Sequence, residues 1–245
     1  MSEEAKPKSS SPPQRYDDFN RNVPDEELLE AVGRFLPPSA PSSPEEPTSR
    51  DPKPPHLQVL ELGCGRGIDV RELQRRHARH FYSFTASDRD ITNANAPGNR
   101  EDVDADNGKN EKNRNKSITF INHALPEKLP FGDNSFRLIF SRLTLHYFDA
   151  TVLREQIFPE LCRVLLKKEE NPGALIFVVK THENIDADAF QKQHGYRKAL
   201  TGVEDLEQLL AECGFEVLSP AKPVGGKSHD TSGRPFLLQA RVLVA

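Results

Sequence analysis

The sequence predicts an α/β domain built on a doubly wound, mostly parallel sheet of seven strands whose last strand runs antiparallel. Three observations predict it. Short apolar runs alternate with helix-forming stretches from residue 56 onward, the pattern that sandwiches parallel strands between two helical layers. The first run ends in Gly63-Cys64-Gly65-Arg66-Gly67, a turn that passes from strand to helix. The final two runs follow one another with no helix between them, so they should pair as an antiparallel hairpin.

Residues 1–24 are rich in Ser, Pro, Lys and Glu and hold too few apolar groups to offset the entropy of ordering them, which predicts a disordered tail. Pro24-Asp25-Glu26-Glu27 then opens a short helix within 25–36, with an apolar stripe of Leu28, Leu29, Val32, Phe35 and Leu36 and an acidic first turn suited to the helix dipole. That helix should lid or flank the domain. Residues 37–55 form a Pro/Ser/Glu linker, and the domain occupies 56–245.

Within it, strands are expected at 57–62, 81–87, 117–122, 135–141, 174–180, 215–219 and 236–244. Helices are expected at 68–79, at 149–166 with a kink at Pro159, and at 203–213, closed by Gly214. Residues 93–116 carry almost nothing apolar beyond Val103 and some alanines, which predicts a disordered surface insertion.

Composition excludes several classes. Lysine and arginine number 33 against 37 acidic residues, a net charge of −4, so no electrostatic footprint for nucleic acid is expected. No apolar run is long enough for a membrane span, and the N-terminus lacks a signal-like apolar core. A cytoplasmic protein is expected. Cys64, Cys162 and Cys213 are odd in number and widely spaced, as buried reduced thiols are, and no histidine lies near them at metal-ligand spacing, so no metal site is expected. Arg75, Arg76 and Arg79 read as the solvated face of the first domain helix.

The glycine turn carries the chemistry. Glycine lets backbone approach a nucleotide-like cofactor and adopts the dihedrals of a tight strand-to-helix turn, and Gly63, Gly65 and Gly67 stand in that position. Roughly twenty residues on, the second strand ends at Asp88, the spacing at which such sheets place a carboxylate on a ribose diol. Gly-x-Gly-x-Gly is not the Gly-x-Gly-x-x-Gly that cradles a pyrophosphate, and no lysine follows as in an ATPase loop. Glu61 at the head of the turn suits a cationic cofactor. A dinucleotide-dependent oxidoreductase is thereby the weaker reading.

Val59-Leu60-Glu61-Leu62-Gly63-Cys64-Gly65-Arg66-Gly67 resembles the first motif of class I S-adenosylmethionine (SAM)-dependent methyltransferases. Leu129-Pro130-Phe131-Gly132-Asp133-Asn134-Ser135-Phe136 resembles the segment before their fourth strand. Leu143 to Phe148, with Ser232-Gly233-Arg234-Pro235-Phe236, is similar to small-molecule and tellurite-resistance-type members. The resemblance implies a Rossmann-like fold and SAM as cofactor. It also implies that Glu61, Gly63, Cys64, Gly65 and Gly67 line the methionine half and that Asp88 binds the ribose. Where the family places an acid after the third strand, this chain has Asn122-His123, so that either Asn122 or His123 substitutes at the adenine amine or the amine meets backbone alone. Ser141-Arg142-Leu143-Thr144 at the end of the fourth strand lacks the Pro-Pro motif of amine methyltransferases acting on adenine or glutamine, and no Pro-Cys pair offers a cytosine-C5 nucleophile.

Methyl transfer from a sulfonium is an in-line displacement, so positioning does much of the work and a base is needed only where the nucleophile must lose a proton. The acceptor belongs at the carboxyl ends of the strands. The segment after the fourth strand offers Ser141 beside the cofactor and His146 and Tyr147 as catalytic candidates. The segment after the fifth offers Lys180, Thr181, His182 and Glu183. A small-molecule acceptor is favoured. A protein acceptor, or a catalytically silent SAM-fold protein that binds a partner, stands as the alternative.

Overall fold

The computed structural model describes residues 23–36, 57–77, 82–92, 118–183, 186–195, 198–224 and 236–243. The tail to residue 22, the linker, the 93–116 insertion and Ser232 to Pro235 lie outside the described residues.

Helix α1 (Glu26–Phe35) starts where Asp25 accepts the N–H of Leu28, and its acidic first turn favours the dipole. It is no lid. Leu28, Leu29, Ala31 and Val32 are buried, and the helix flanks the sheet, packing on its centre and on the helix that follows the first strand.

Seven strands form one sheet in the order β3-β2-β1-β4-β5-β7-β6, with β1 (Leu57–Leu62), β2 (Tyr82–Asp88), β3 (Thr119–Asn122), β4 (Leu138–Arg142), β5 (Ala174–Val179), β6 (Phe215–Pro223) and β7 (Phe236–Val242). Strands β1 to β5 pair in parallel, and β7 is antiparallel to both β5 and β6. This is the expected mostly parallel sheet with an antiparallel last strand. Strand alternation divides the core into two layers. Val59, Leu138, Phe140 and Ile176 face α1 and α2 (Ile68–Arg76). Leu60, Ile139, Leu175 and Phe177 face α4 (Phe158–Val164) and α6 (Val203–Glu212).

Three expectations are corrected in detail. The fourth strand begins at Leu138 rather than 135, because the register with β1 and β5 opens there; Phe136 makes one isolated bridge to Leu165. The helical stretch at 150–164 is not one continuous α-helix: α3 (Ala150–Val152) passes through a π-helical turn (Leu153–Ile157) into α4, whose first turn holds Pro159. Proline has no N–H to give the turn before it, and the wider turn absorbs that loss. A helix without a sequence expectation, α5 (Ala187–His194), is capped by Asp186, which accepts from Asp188 and Ala189, and closes at Gly195 with φ 74°. Strand β6 runs longer than expected, to Pro223, with register irregularities on either side of Ser219, next to Pro220, which cannot donate to the ladder.

The Leu129 to Phe136 segment is held from behind. Arg163 of α4 donates to Phe131 O, Asp133 and Glu160, and Glu160 accepts the N–H of Leu129. This clip fixes the approach to β4.

Candidate functional site

The site is built at the carboxyl ends of β1, β2 and β4, where helices leave the sheet on both faces. Gly63, Gly65 and Gly67 have φ values of 64°, 53° and 70°, the left-handed region that explains glycine at each position. Their surroundings differ. A Cβ on Gly63 would stand 2.1 Å from Oγ1 of Thr144, and one on Gly67 2.8 Å from the ring of Phe120, so both glycines admit protein neighbours. A Cβ on Gly65 would meet nothing within 4 Å. The space over the middle of the turn is open.

Asp88, at the tip of β2, reaches across to this turn: its Oδ2 accepts the N–H of Gly65 at 2.7 Å and its Oδ1 that of Asp90 at 3.1 Å. Cys64 N–H donates to Ser87 O at 2.9 Å, a second tie between turn and strand. The Cys64 thiol is buried, and burial with the neighbouring Glu61 and Asp88 charges pushes its pKa far up, so it fills space rather than acting as a thiolate.

Glu61 is 2% exposed and accepts the N–H of Val70 in the first turn of α2 at 3.2 Å. Burial raises its pKa well above the ordinary carboxylate range, with the nearby Asp69 charge adding to the rise and Val70 N–H and Arg142 working against it. Asp69 is also buried, and burial raises its pKa although Arg142 opposes this. These two residues were missed by sequence reasoning, since an acid in a helix's first turn and an arginine at a strand end are each common. Arg142 donates to both oxygens of Asp69, at 2.9 and 3.0 Å.

Ser141 is wholly buried and donates to Leu62 O at 3.0 Å, so its proton is spent joining β4 to β1. Asn122 is exposed beside the end of β2; with its amide turned to satisfy both neighbours, the nitrogen donates to Asp88 O and Arg89 O at 3.2 and 2.6 Å. His123 Nε2 lies 3.1 Å from Lys128 O, so that nitrogen carries the proton, while its buried Nδ1 has no hydrogen-bond partner among the described residues.

After β4, Leu143 turns the chain with φ 54°, an uncommon conformation for a bulky residue, and its N–H donates to Val178 O at 2.8 Å. That bend seats Thr144 on Gly63 and starts the 3-10 turn Leu145–Tyr147. His146 is 4% exposed, with its ring 4.6 Å from that of Tyr147, and Lys198 Nζ lies 5.4 Å from the Tyr147 ring centroid. Across from them, Lys180 and Thr181 are fully buried after β5, and Glu183 accepts the N–H of Val203 at 2.9 Å, capping α6. His182 packs on Gly202. The structure therefore gathers Glu61, the glycines, Cys64 and Asp88 at one turn, puts His146 and Tyr147 on the neighbouring strand end, and commits Ser141 and Glu183 to backbone. Arg75 and Arg76 pair with Glu72, and Arg76 also with Glu26 on α1. Among the described residues no group of three or more His, Cys, Asp or Glu side chains converges on a metal position, and no helix is long and apolar enough to cross a membrane.

Strand, glycine turn, helix and an acid at the next strand's tip are arranged as doubly wound sheets arrange a nucleotide-like cofactor site. Comparison with known proteins names its class. Residues 60–169 match the family model described as a methyltransferase domain. The chain is similar in fold to a SAM-dependent methyltransferase from Aquifex aeolicus, at 18% identity over 93% of this chain and 95% of that one, with a TM-score of 0.57. It is similar to a SAM-dependent methyltransferase from Methanosarcina mazei at 21% identity, covering 77% of this chain and 93% of that one, TM-score 0.53. A geranyl diphosphate C-methyltransferase from Streptomyces coelicolor matches at 11% identity over 89% of this chain and 76% of its own, TM-score 0.58. No curated protein matches. Residues 60–169 thus match a methyltransferase domain, and the chain has the fold of solved SAM-dependent methyltransferases.

Proposed function

We propose that the chain transfers the methyl group of SAM to a small-molecule acceptor, using the glycine turn for the cofactor and the end of β4 for the acceptor. The observation that carries the cofactor half is the open space over Gly65, bounded by the Asp88 carboxylate and backed by the buried Glu61. A buried carboxylate with a raised pKa favours a cationic neighbour, and SAM carries both a sulfonium and an ammonium. Asp88 keeps lone pairs for a ribose diol while holding Gly65 N–H. His123 offers Nδ1 as an acceptor for the adenine amine, with Asn122 beside it. Ser141 positions the end of β4 rather than touching the cofactor.

SAM supplies an activated methyl group and leaves as S-adenosylhomocysteine. The chain's own part is to orient the acceptor and, where the acceptor carries a proton, to receive it. His146 is the candidate base and Tyr147 the candidate orienting group. A small acceptor is favoured because the side chains on this side are recessed: His146, Thr181 and Lys198 are 4%, 0% and 5% exposed. A polypeptide strand would need an open groove there. The test uses SAM labelled in its methyl group, offered with a panel of small acids, amines, phenols and thiols, and separately with polypeptides. Label in a small molecule supports the reading; label on polypeptide alone overturns its acceptor half.

A further inference from the structure

Arg142 stands outside every motif that marks the cofactor turn, at the last position of β4. Its Nη1 donates to both oxygens of Asp69 and to Val23 O at 3.1 Å, just before α1. Asp25 N–H donates to the same Asp69 carboxylate at 2.8 Å. Asp69 lies next to Val70, whose N–H holds the Glu61 carboxylate. One guanidinium thus ties the entry of α1, the first turn of α2 and the end of β4 around the cofactor turn, with side chains 12% and 7% exposed in the Arg142–Asp69 pair.

Resting on the cofactor reading above, we propose that Arg142 is a positioning residue for SAM, which fixes α1 over the first turn of α2 and, through Asp69 and the neighbouring Val70 N–H, the Glu61 carboxylate behind the glycine turn. Glu61 faces Asp69 from α2 and Asp88 from the tip of β2, both negative, and Arg142 from β4 supplies the opposing positive charge. With Arg142 neutralised, Glu61 and Asp69 hold a proton to higher pH, and a cationic cofactor has to displace it. An ion pair that only braces the fold would not move the pH dependence of cofactor binding.

The test titrates SAM into the wild type, Arg142→Met and Arg142→Lys across the pH range in which each stays folded, with thermal melts to verify folding and hydrogen exchange to follow α1. Arg142→Met is expected to weaken SAM binding by about tenfold or more at the acidic end, as loss of one partner of a buried pair should. It should also move the pH at which affinity levels off upward and lessen the protection that SAM gives the first turn of α1. Arg142→Lys restores the charge but not the fork that spans Asp69 and Val23 O, so it recovers the wild-type pH profile with only part of the affinity. If Arg142→Met does not fold, Arg142→Gln is titrated in its place: an upward move of the pH at which affinity levels off supports the proposal, and the wild-type profile overturns it. A folded Arg142→Met with wild-type affinity and profile also overturns it. A wild type that binds no SAM at any pH is a different result, which removes the cofactor reading and this inference with it.

Discussion

The carboxylate of Asp88 accepts the amide N–H of Gly65 at 2.7 Å, so the tip of β2 and the middle of the glycine turn are held as one unit. Removing that acceptor leaves the amide unsatisfied and takes away the candidate ribose partner. Asp88→Ala is predicted to weaken SAM and S-adenosylhomocysteine alike by about 10- to 100-fold, from charged hydrogen bonds of ~1.5–3 kcal/mol. Calorimetric titration of both ligands checks this, and equal loss for both places the effect away from the methylated sulfonium, the one group in which they differ.

Gly65 and Gly67 share a left-handed backbone but differ in what surrounds them. Gly65→Arg should abolish cofactor binding while lowering stability by only ~1–2 kcal/mol, the backbone cost of the left-handed region. Gly67→Val adds a clash with Phe120 to that cost and should lower the melting temperature more than Gly65→Arg does. Melts and titrations on the same two variants separate the roles.

Cofactor binding should depend on pH through Glu61. Its folded pKa is raised, so the folded chain keeps a proton that an unfolded carboxylate of ordinary pKa, about 4.3, has already released. Glu61 therefore contributes stability fully below that ordinary value and loses it as pH rises through the raised folded value. A bound cation favours the carboxylate, so SAM binding should release a proton and strengthen as pH climbs through that window. Titrations in buffers of different ionisation enthalpy measure the proton, and Glu61→Gln should abolish the release.

His123→Leu removes the candidate acceptor for the adenine amine. It is expected to weaken S-adenosylhomocysteine by about 1 kcal/mol, the worth of one neutral hydrogen bond, and to leave its inosine analogue unaffected. Competition between the two ligands reads this directly.

Should the acceptor need to lose a proton, His146→Ala should lower turnover by about 10²- to 10⁴-fold, the range of general-base catalysis, without changing the dissociation constant of SAM. Steady-state rates beside a SAM titration make the comparison.

Much of this was legible in the sequence because it is written in local signals. The alternation of apolar runs foretold the parallel sheet, and the Gly63, Gly65 and Gly67 spacing marked a turn whose three positive φ values require glycine. Asp88 was found by its distance from that turn. Thr144 seated on Gly63, and the Asp69–Arg142 pair, were not legible, since they join residues far apart in the chain through packing that no local pattern encodes. The partner of Ser141 was not legible either, since the register of β1 with β4 is what brings the Leu62 carbonyl to its hydroxyl. Helix α5 left its signal only in Asp186 and Gly195, around a stretch with little apolar stripe.

The most direct measurement is a calorimetric titration of SAM and S-adenosylhomocysteine into the full chain, with NAD as control and Gly65→Arg alongside. The account predicts binding of both sulfur ligands at about micromolar dissociation constants, near −8 kcal/mol, none of NAD, and none of any ligand by a folded Gly65→Arg. A folded wild type that ignores SAM, or a Gly65→Arg variant that binds it as tightly, would contradict the assignment of the glycine turn as the cofactor site.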